Sequence, residues 1–295
     1  MVGRYAPSPT GPLHLGNLRT ALLAWLFARA AGSAFLLRIE DLDTGRSRPE
    51  HEAGQLADLR ALGLDWDGEP VRQSERTPLY DAALGRLDTY PCYCTRAEIR
   101  EAASAPHGPG PEGAYPGTCR ELTAAQRAER ERAGRPPALR VRAGGAEVTI
   151  TDALAGAVTR VVDDFVVRRN DGAHAYNLAV VVDDGAQRVQ EVVRGADLLD
   201  SAPRQAWLAA ALGLPPVAWA HVPLVLGPDG ARLAKRHGAV TLADRPESPD
   251  AVRGLLAAGA GLAAPGEAPS PAELIERFRA TGPGGLPRAS WTLPG

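Results

Sequence analysis

The chain is nearly devoid of lysine. Among its 295 residues there is one, Lys235, set against many arginines. A strong bias toward arginine is thus overridden once, as expected where a compact ammonium is needed and a planar guanidinium does not serve. A charge excess is missing too: the formal net charge is −2. A nucleic-acid partner therefore cannot be argued from overall charge, and any such surface must be local. No stretch of about eighteen uncharged apolar residues occurs, so no membrane span is expected. Residues 1–10 form no secretory signal, because Arg4 and several polar or proline positions interrupt them. A cytoplasmic protein is expected. What is present, 44% hydrophobic and 23% charged residues, suits a soluble globular chain. Its length can bury a full core and predicts one large domain plus an appendage.

The chain is organised around Arg4-Tyr-Ala-Pro-Ser-Pro-Thr-Gly-Pro-Leu-His-Leu-Gly-Asn17. A short apolar start (Met1, Val2) reads as a first strand. The run Leu18 to Ala31 reads as one helix, rich in Ala and Leu, free of internal Gly or Pro and closed by Gly32. In an open α/β sheet such a strand–turn–helix junction lies at the carboxyl ends of the strands, where ligands bind. The helix start offers unpaired N–H groups and a positive dipole end to a phosphate. Gly11 and Gly16 permit close backbone approach. His14 is a candidate donor to a phosphate oxygen, and Asn17 to a sugar or base. The stretch carries neither GxGxxG nor GxxxxGK[ST], so on physical grounds a nucleotide site competes with a proline-rich turn bearing a surface histidine.

Ala34 to Ile39 reads as a buried parallel strand. It ends in Glu40-Asp41-Leu42-Asp43, which places carboxylates at the same crevice, with Glu40 set to receive an ammonium. Pro49 to Leu62 reads as a helix closed by Gly63. Thr77 and Pro78 open a helix running to about Leu87. From Tyr90 to Arg135 there is little strand or strong helix, and the segment reads as an insertion. After Pro137 the pattern returns to strands. Ala138 to Arg142 and Val148 to Thr151 read as a hairpin around Gly144-Gly145, and Asp164 to Arg168 as a further strand. His174 to Val182 continues this series as a long apolar run ending at Asp183-Asp184-Gly185. Gln190 to Val193 leads into Arg194-Gly195. A helix follows from about Ser201 to Leu212, then a last strand, Ala220 to Leu226. Two short helices, Pro249 to Ala258 and Pro271 to Ala280, complete the pattern. Between Arg120 and Arg142 seven arginines alternate with Glu121, Glu129 and Glu131; a solvated mixed-charge helix is favoured over an RNA-binding surface.

The insertion holds all three cysteines, Cys92, Cys94 and Cys119. A cytosolic chain should not rely on disulfides. Cys92-x-Cys94 followed by Tyr115-x-x-x-Cys119 suggests a structural metal clip. Thiolates favour zinc, and a structural zinc site wants four ligands. His107 is available as the fourth on generic grounds.

Pro12-Leu-His-Leu-Gly-Asn17 resembles the "HIGH" element of class I aminoacyl-tRNA synthetases, with Asn17 where the last His would stand. The longer stretch from Arg4, together with Arg38-Ile-Glu-Asp-Leu-Asp43, Ala175-Tyr-Asn-Leu-Ala-Val-Val-Val-Asp-Asp184 and Val192-Val-Arg-Gly-Ala-Asp197, resembles glutamyl-tRNA synthetases. Arg232-Leu-Ala-Lys-Arg236 resembles a degenerate "KMSKS" loop in which Lys235 keeps its position. The cysteine pattern resembles that of glutamyl-queuosine tRNA(Asp) synthetases, in which a tyrosine is the fourth zinc ligand; this favours Tyr115 over His107.

The resemblance implies an α/β fold: a class I synthetase Rossmann-like parallel sheet with a zinc-binding insertion and a short helical C-terminal appendage. Domain boundaries are expected at 1–89 and 138–240 for the two catalytic halves, 90–137 for the insertion and 241–295 for the C-terminal region. Catalytic roles fall on His14 and Lys235. Glutamate binding falls on Arg4, Tyr5, Ala6, Pro7, Ser8, Glu40, Tyr176 and Arg194, with the α-amino group on Glu40 and the side-chain carboxylate on Arg4, Tyr176 and Arg194, where a planar guanidinium can pair it bidentately. ATP, with Mg²⁺, falls on Thr10, His14, Gly16, Asn17 and Lys235. Val180, standing where discriminating relatives carry Asn, implies an altered pocket. The implied reaction is activation of L-glutamate with ATP and transfer to queuosine in tRNA(Asp). A short synthetase charging tRNA(Glu) and an inactive RNA- or partner-binding paralogue are the alternatives. A relative that charges tRNA(Glu) would continue into a helical anticodon-binding domain, for which no room remains. A monomer is expected.

Overall fold

The structure, a computed structural model, describes residues 1–95, 97–99, 115–227, 229–231, 233 and 241–293. His107 and Lys235 lie outside them.

A seven-stranded sheet carries the molecule, in the order β3-β2-β1-β9-β10-β6-β7. Its strands are β1 Val2–Tyr5, β2 Ala34–Ile39, β3 Val71–Arg72, β6 Ala146–Asp152, β7 Gly156–Val162, β9 Glu191–Gly195 and β10 Ala218–Val222. All neighbours are parallel except the edge pair β6 and β7. The chain runs outward one way from β1 to β2 and β3, and the other way from β9 to β10. The boundary between β1 and β9 is therefore a topological switch point, the place where an open α/β sheet leaves a crevice.

Helix α1 (Leu15–Ala30) is buried along most of its length, from Leu15 to Ala28. It starts three residues before the sequence reading because His14 is its N-cap. Helices α2 (Pro49–Ala61) and α3 (Thr77–Leu84) follow the expected segments. Near the end of the chain, α7 (Pro249–Ala258) and α8 (Pro271–Thr281) pack on α1 in one core with Leu22, Leu26 and Phe27. Phe27 and Phe278 meet at 5.0 Å between ring centroids.

Three local readings change. Tyr176–Ala186 is a helix, α5, although Val180, Val181 and Val182 favour strands. It packs against α6 (Ala202–Ala211) and the Tyr80 side of α3; tertiary burial outweighs a β propensity of under a kcal/mol per residue. The expected hairpin at Gly144-Gly145 does not form. β5 (Ala138–Val141) joins β4 (Thr89–Cys92) and β8 (Val166–Arg168) in a separate antiparallel sheet, while β6 turns back on β7. Within the insertion Ala124–Arg132 forms α4, capped reciprocally by Thr123 and Gln126 and burying no residue; it is the solvated helix favoured from the charge pattern. The last predicted strand divides: β10 ends at Val222, and β11 (Val225–Leu226) pairs with β12 (Trp291–Thr292).

Candidate active site

The loop from Ala6 to Leu13 joins β1 to α1 at the switch point. Its backbone is pinned from below. Gln55, on the buried face of α2, donates through Nε2 to the carbonyls of Ser8 (3.0 Å) and Gly11 (2.7 Å), and the N–H groups of Glu40 and Arg48 donate to Pro7 and Pro9. Gln55 was not singled out in the sequence. The available signal was a polar residue one turn from Leu59 on the buried side of α2.

At the helix start, His14 Nδ1 accepts from the N–H of Asn17 (3.2 Å) and Asn17 Oδ1 accepts from the N–H of His14 (3.3 Å). This reciprocal cap has two chemical consequences. Because Nδ1 is an acceptor, the neutral ring carries its proton on Nε2 and presents a donor there. Asn17 has its oxygen committed, so a ligand would meet its amide N–H₂. Gly16 is required by the same cap: a Cβ there would lie 2.9 Å from the His14 ring.

The floor is a buried ionic cluster. Asp184 Oδ1 accepts from Arg4 Nε (3.2 Å) and Arg38 Nη1 (2.8 Å). Asp183 accepts from Gln73 (2.9 Å), Arg76 (2.6 Å) and Tyr80 (2.9 Å). Arg38 stands 3.5 Å from Glu40 Oε1. Burial would strip Arg38 of its proton, but Asp184, Glu40 and Asp183 more than compensate and hold it charged. Asp184 is driven up by burial and pulled back below the ordinary carboxylate range by Arg4 and Arg38. Glu40 is different. Burial raises its pKa despite Arg38 and Arg4, and its Oε1 makes no hydrogen bond. Beyond its long contact to Arg38, that buried oxygen has room for a donor among the described residues. The Asp183-Asp184 pair, read in the sequence as the end of an apolar run, is the structural anchor of this floor. Two adjacent acids closing such a run were the signal, since buried carboxylates demand partners.

Across the cavity, β9 presents Arg194. It is 5% exposed, and burial lowers its pKa, aided by Arg4. Its Nε donates to His221 Nε2 (3.0 Å), Nη1 to Gln205 Oε1 (2.7 Å) and Tyr176 Oη (3.4 Å), and Nη2 to the Leu198 carbonyl and Ser201 Oγ (both 3.2 Å). All five donors are engaged, so the bidentate grip expected from the sequence is not open on Arg194. The loosest contact is to Tyr176, whose hydroxyl keeps its own proton for a ligand; Tyr176 is 39% exposed. Arg4 has more to give. Beyond Asp184 it makes one long contact, 3.5 Å to the Val193 carbonyl, and its Nη2 forms no hydrogen bond among the described residues.

These walls enclose a cavity of about 510 Å³. It is lined by Arg4, Tyr5, Ala6, Pro7, Ser8, Thr10, His14, Gly16, Asn17, Glu40, Tyr176 and Arg194. The structure thus brings together every described residue proposed from the sequence for amino acid and nucleotide. Val180 does not line it; at 1% exposed it sits in the core beside Leu178 and Leu208.

The cysteines form a second cluster. The Sγ atoms of Cys92, Cys94 and Cys119 lie within 4.8 Å of one another. Tyr115 Oη is 3.4 Å from Cys92 Sγ and accepts from the N–H of Cys119 at 2.8 Å. Around a tetrahedral zinc, sulfurs would stand about 3.8 Å apart, so the set fits the ion. The hydrogen bond from Cys94, with Tyr115 and Arg140, pulls the Cys92 thiol down to about 4 despite burial, while the Cys94 thiol is pushed up by its bond to Cys92.

The comparisons agree with this geometry. The family model for the catalytic domain of class I tRNA synthetases (E and Q) matches residues 1–257. A glutamyl-Q tRNA(Asp) synthetase from Nocardia farcinica is 60% identical over 298 aligned residues, covering 99% of this chain and 92% of its own. The one from Symbiobacterium thermophilum is 54% identical, covering 94% and 92%. A crystal structure of a glutamate tRNA ligase from Elizabethkingia meningosepticum, in complex with its amino acid, superposes with a TM-score of 0.82 at 27% identity, over all of this chain and 67% of that one. Among the described residues no helix is long and apolar enough to cross a membrane. The chain belongs to the class I tRNA synthetase family whose catalytic domains serve glutamate and glutamine, and within it stands among the glutamyl-Q tRNA(Asp) synthetases.

Proposed function

We propose that this protein activates L-glutamate with MgATP and transfers the glutamyl group to queuosine of tRNA(Asp). The supporting observation is the charge pattern of one cavity: a carboxylate whose Oε1 is buried without a hydrogen bond among the described residues, Glu40, faces buried guanidiniums with few anionic partners, Arg4 and Arg194, beside the N-terminus of α1. A zwitterion with a second carboxylate complements that pattern. Glu40 takes the α-ammonium. Arg4 and Tyr176 hold the side-chain carboxylate in the field of Arg194. The backbone from Tyr5 to Ser8 frames the chain of the substrate, and Thr10, Gly16 and Asn17 line the path of the nucleotide.

The α-carboxylate, already ionised, attacks the α-phosphorus and pyrophosphate leaves, so no general base is needed. His14 Nε2–H and the Lys235 ammonium stabilise charge developing on the phosphates. The fixed arrangement supplies the proximity term. The acceptor RNA is assigned from the relatives, which carry that substrate in their names. The test is transfer of labelled glutamate, with MgATP, to purified queuosine-containing tRNA(Asp) and tRNA(Glu). Label is expected on the first alone. Label on tRNA(Glu) would make it a charging enzyme, and absence of glutamate-dependent ATP–pyrophosphate exchange would make it an inert paralogue.

Glu40 gives this reading a pH signature. Its pKa is raised in the free protein, and only its ionised form accepts an ammonium. Protons therefore compete with glutamate. The KM for glutamate in exchange is expected to be flat on the alkaline side of that pKa and to climb up to tenfold per pH unit below it. In Glu40→Gln the KM should be high throughout and lose that slope; a retained slope would move the titration to another group.

We further propose that Cys92, Cys94, Cys119 and Tyr115 hold one zinc ion. Bound, it would cross-link the insertion around Tyr90 and Tyr93 and take no part in the reaction. Metal analysis should find about one zinc per chain, lost in Cys119→Ala together with thermal stability of the insertion. Zinc-free protein purified from zinc-replete cells would refute the site.

A further inference from the structure

Behind Arg194 the wall of the cavity continues into the sheet as a line of buried polar groups on three adjacent strands. Arg194 on β9 lies opposite His221 on β10, and Trp219 lies opposite Asp152 on β6. Arg194 Nε donates to His221 Nε2 at 3.0 Å, and His221 Nδ1 stands 2.6 Å from Asp152 Oδ2. Asp152 is itself fixed by the N–H groups of Leu154 (2.9 Å), Ala155 (2.8 Å) and His221 (3.0 Å). The side chains of His221 and Asp152 are both wholly buried.

One proton assignment satisfies this line. A guanidinium Nε only donates, so His221 Nε2 must be a bare lone pair and the ring proton must sit on Nδ1, facing Asp152. A flipped tautomer would set N–H against N–H. The ring is neutral in this arrangement, since Nε2 accepts; burial lowers its pKa and Arg194 adds to the effect, outweighing the bond to Asp152 that works the other way. Asp152 is pushed up by burial, but its bonds from His221, Ala155 and Leu154 hold it near about 2, hence ionised. Trp219 completes the seat, its ring 5.0 Å from the guanidinium carbon and stacked on the imidazole.

Among the described residues, none of the five groups hydrogen-bonded to Arg194 is an anion. They are an imidazole, a phenol, an amide, a carbonyl and a hydroxyl. An acid in place of His221 would orient the guanidinium equally well but would cancel its field. The imidazole orients it and leaves the charge for the ligand, while Asp152 holds the imidazole in the accepting tautomer.

We propose that His221, locked by Asp152, is a positioning residue that aims Arg194 without neutralising it and so sets the preference of the cavity for a carboxylate over an amide side chain. This rests on the reading of the cavity as a glutamate site. The preference arises because a neutral amide gains little from an unneutralised buried cation and presents an N–H₂ to its neighbours.

The test is ATP–pyrophosphate exchange with glutamate and with glutamine, for the wild-type protein, His221→Phe, His221→Gln and His221→Glu. His221→Phe keeps a flat ring on Trp219 and removes the acceptor. It is expected to raise the glutamate KM about tenfold or more, to leave the ATP KM within about twofold, and to narrow the glutamate-to-glutamine ratio. His221→Gln, a neutral acceptor, should recover part of the loss. His221→Glu, a charged acceptor, should lose more than His221→Phe. A glutamate KM unchanged in His221→Phe, or glutamate and ATP KM rising together, would overturn the proposal. Wild-type protein with no glutamate dependence would overturn the cavity reading and the proposal with it. Long-range ¹H–¹⁵N spectra of the wild-type protein give a check that needs no variant: the Nδ1–H tautomer of His221 is expected, and an Nε2–H or protonated ring would refute it.

Discussion

Asp184→Ala is expected to destabilise the fold by about 3–5 kcal/mol, the usual cost of removing one partner from a buried ion pair. Asp184 is the shared acceptor of Arg4 and Arg38, which are 4% and 0% exposed. Without it Arg4 has, among the described residues, no anion in hydrogen-bond contact, and Arg38 keeps a neutral acceptor, Gln187 Oε1 (2.8 Å), and longer contacts to the carboxylates of Glu40 (3.5 Å) and Asp183 (3.7 Å). A guanidinium is a lasting charge near neutral pH, so the variant would leave buried positive charge poorly compensated. Thermal unfolding should show a fall in Tm on the order of 10 °C. The effect has a pH sign. The Asp184 carboxyl titrates below the ordinary range in the folded protein, so its stabilisation is complete above the unfolded-state pKa and fades as pH falls through the folded one. The gap between wild type and variant should therefore close in acid. A Tm shift under about 2 °C at neutral pH would show that the cluster relaxes or hydrates, and that Asp184 is not its anchor.

Arg194→Ala is expected to lower kcat/KM for glutamate by about 10²–10³-fold. Truncating a buried, hydrogen-bonded charge costs about 2–5 kcal/mol, and each 1.4 kcal/mol is a factor of ten. The loss should fall mainly on the glutamate KM and leave the ATP KM nearly unchanged, since the cap at His14 and the loop held by Gln55 lie on other elements. Arg194→Lys should recover little, because an ammonium cannot serve His221, Gln205, Tyr176, Leu198 and Ser201 at once. A variant with an unaltered glutamate KM would remove Arg194 from the amino-acid pocket.

How much of this was legible in the sequence depended on how far apart the partners lie. The loop from Ala6 to Leu13, its flanking strand and helix, Glu40 at the end of β2 and the cysteine cluster are local patterns, and all appear where the sequence placed them. The His14–Asn17 cap is equally local, and by committing Asn17 Oδ1 and His14 Nδ1 to the backbone it leaves His14 Nε2–H and the Asn17 amide N–H₂ as the groups that can donate. The failures are choices made by distant groups. Val180 to Val182 became helical because Leu208 and Tyr80 needed a helix face to pack on. Gly144-Gly145 has the chemistry of a hairpin turn, but β5 found partners in β4 and β8. The line from Arg194 through His221 to Asp152 exists only once three strands are laid side by side, and no spacing in the sequence marks it.

The crevice at the switch point has a consequence for synthesis. Gly3 of β1 pairs with Glu191 of β9, so the edge that will line the cavity stays unpaired while the intervening chain is made. At translation rates of about 5–20 residues per second that interval lasts roughly 10–40 s. The apolar face of α1 waits longer still, since Phe278 is among its last neighbours to leave the ribosome. Until β9 is made, that side of β1 lacks its native partner, and an unpaired strand edge is the kind of surface that pairs with strangers. The long separation of β1 from β9 therefore makes exposure of this nascent edge an expected hazard in producing the protein.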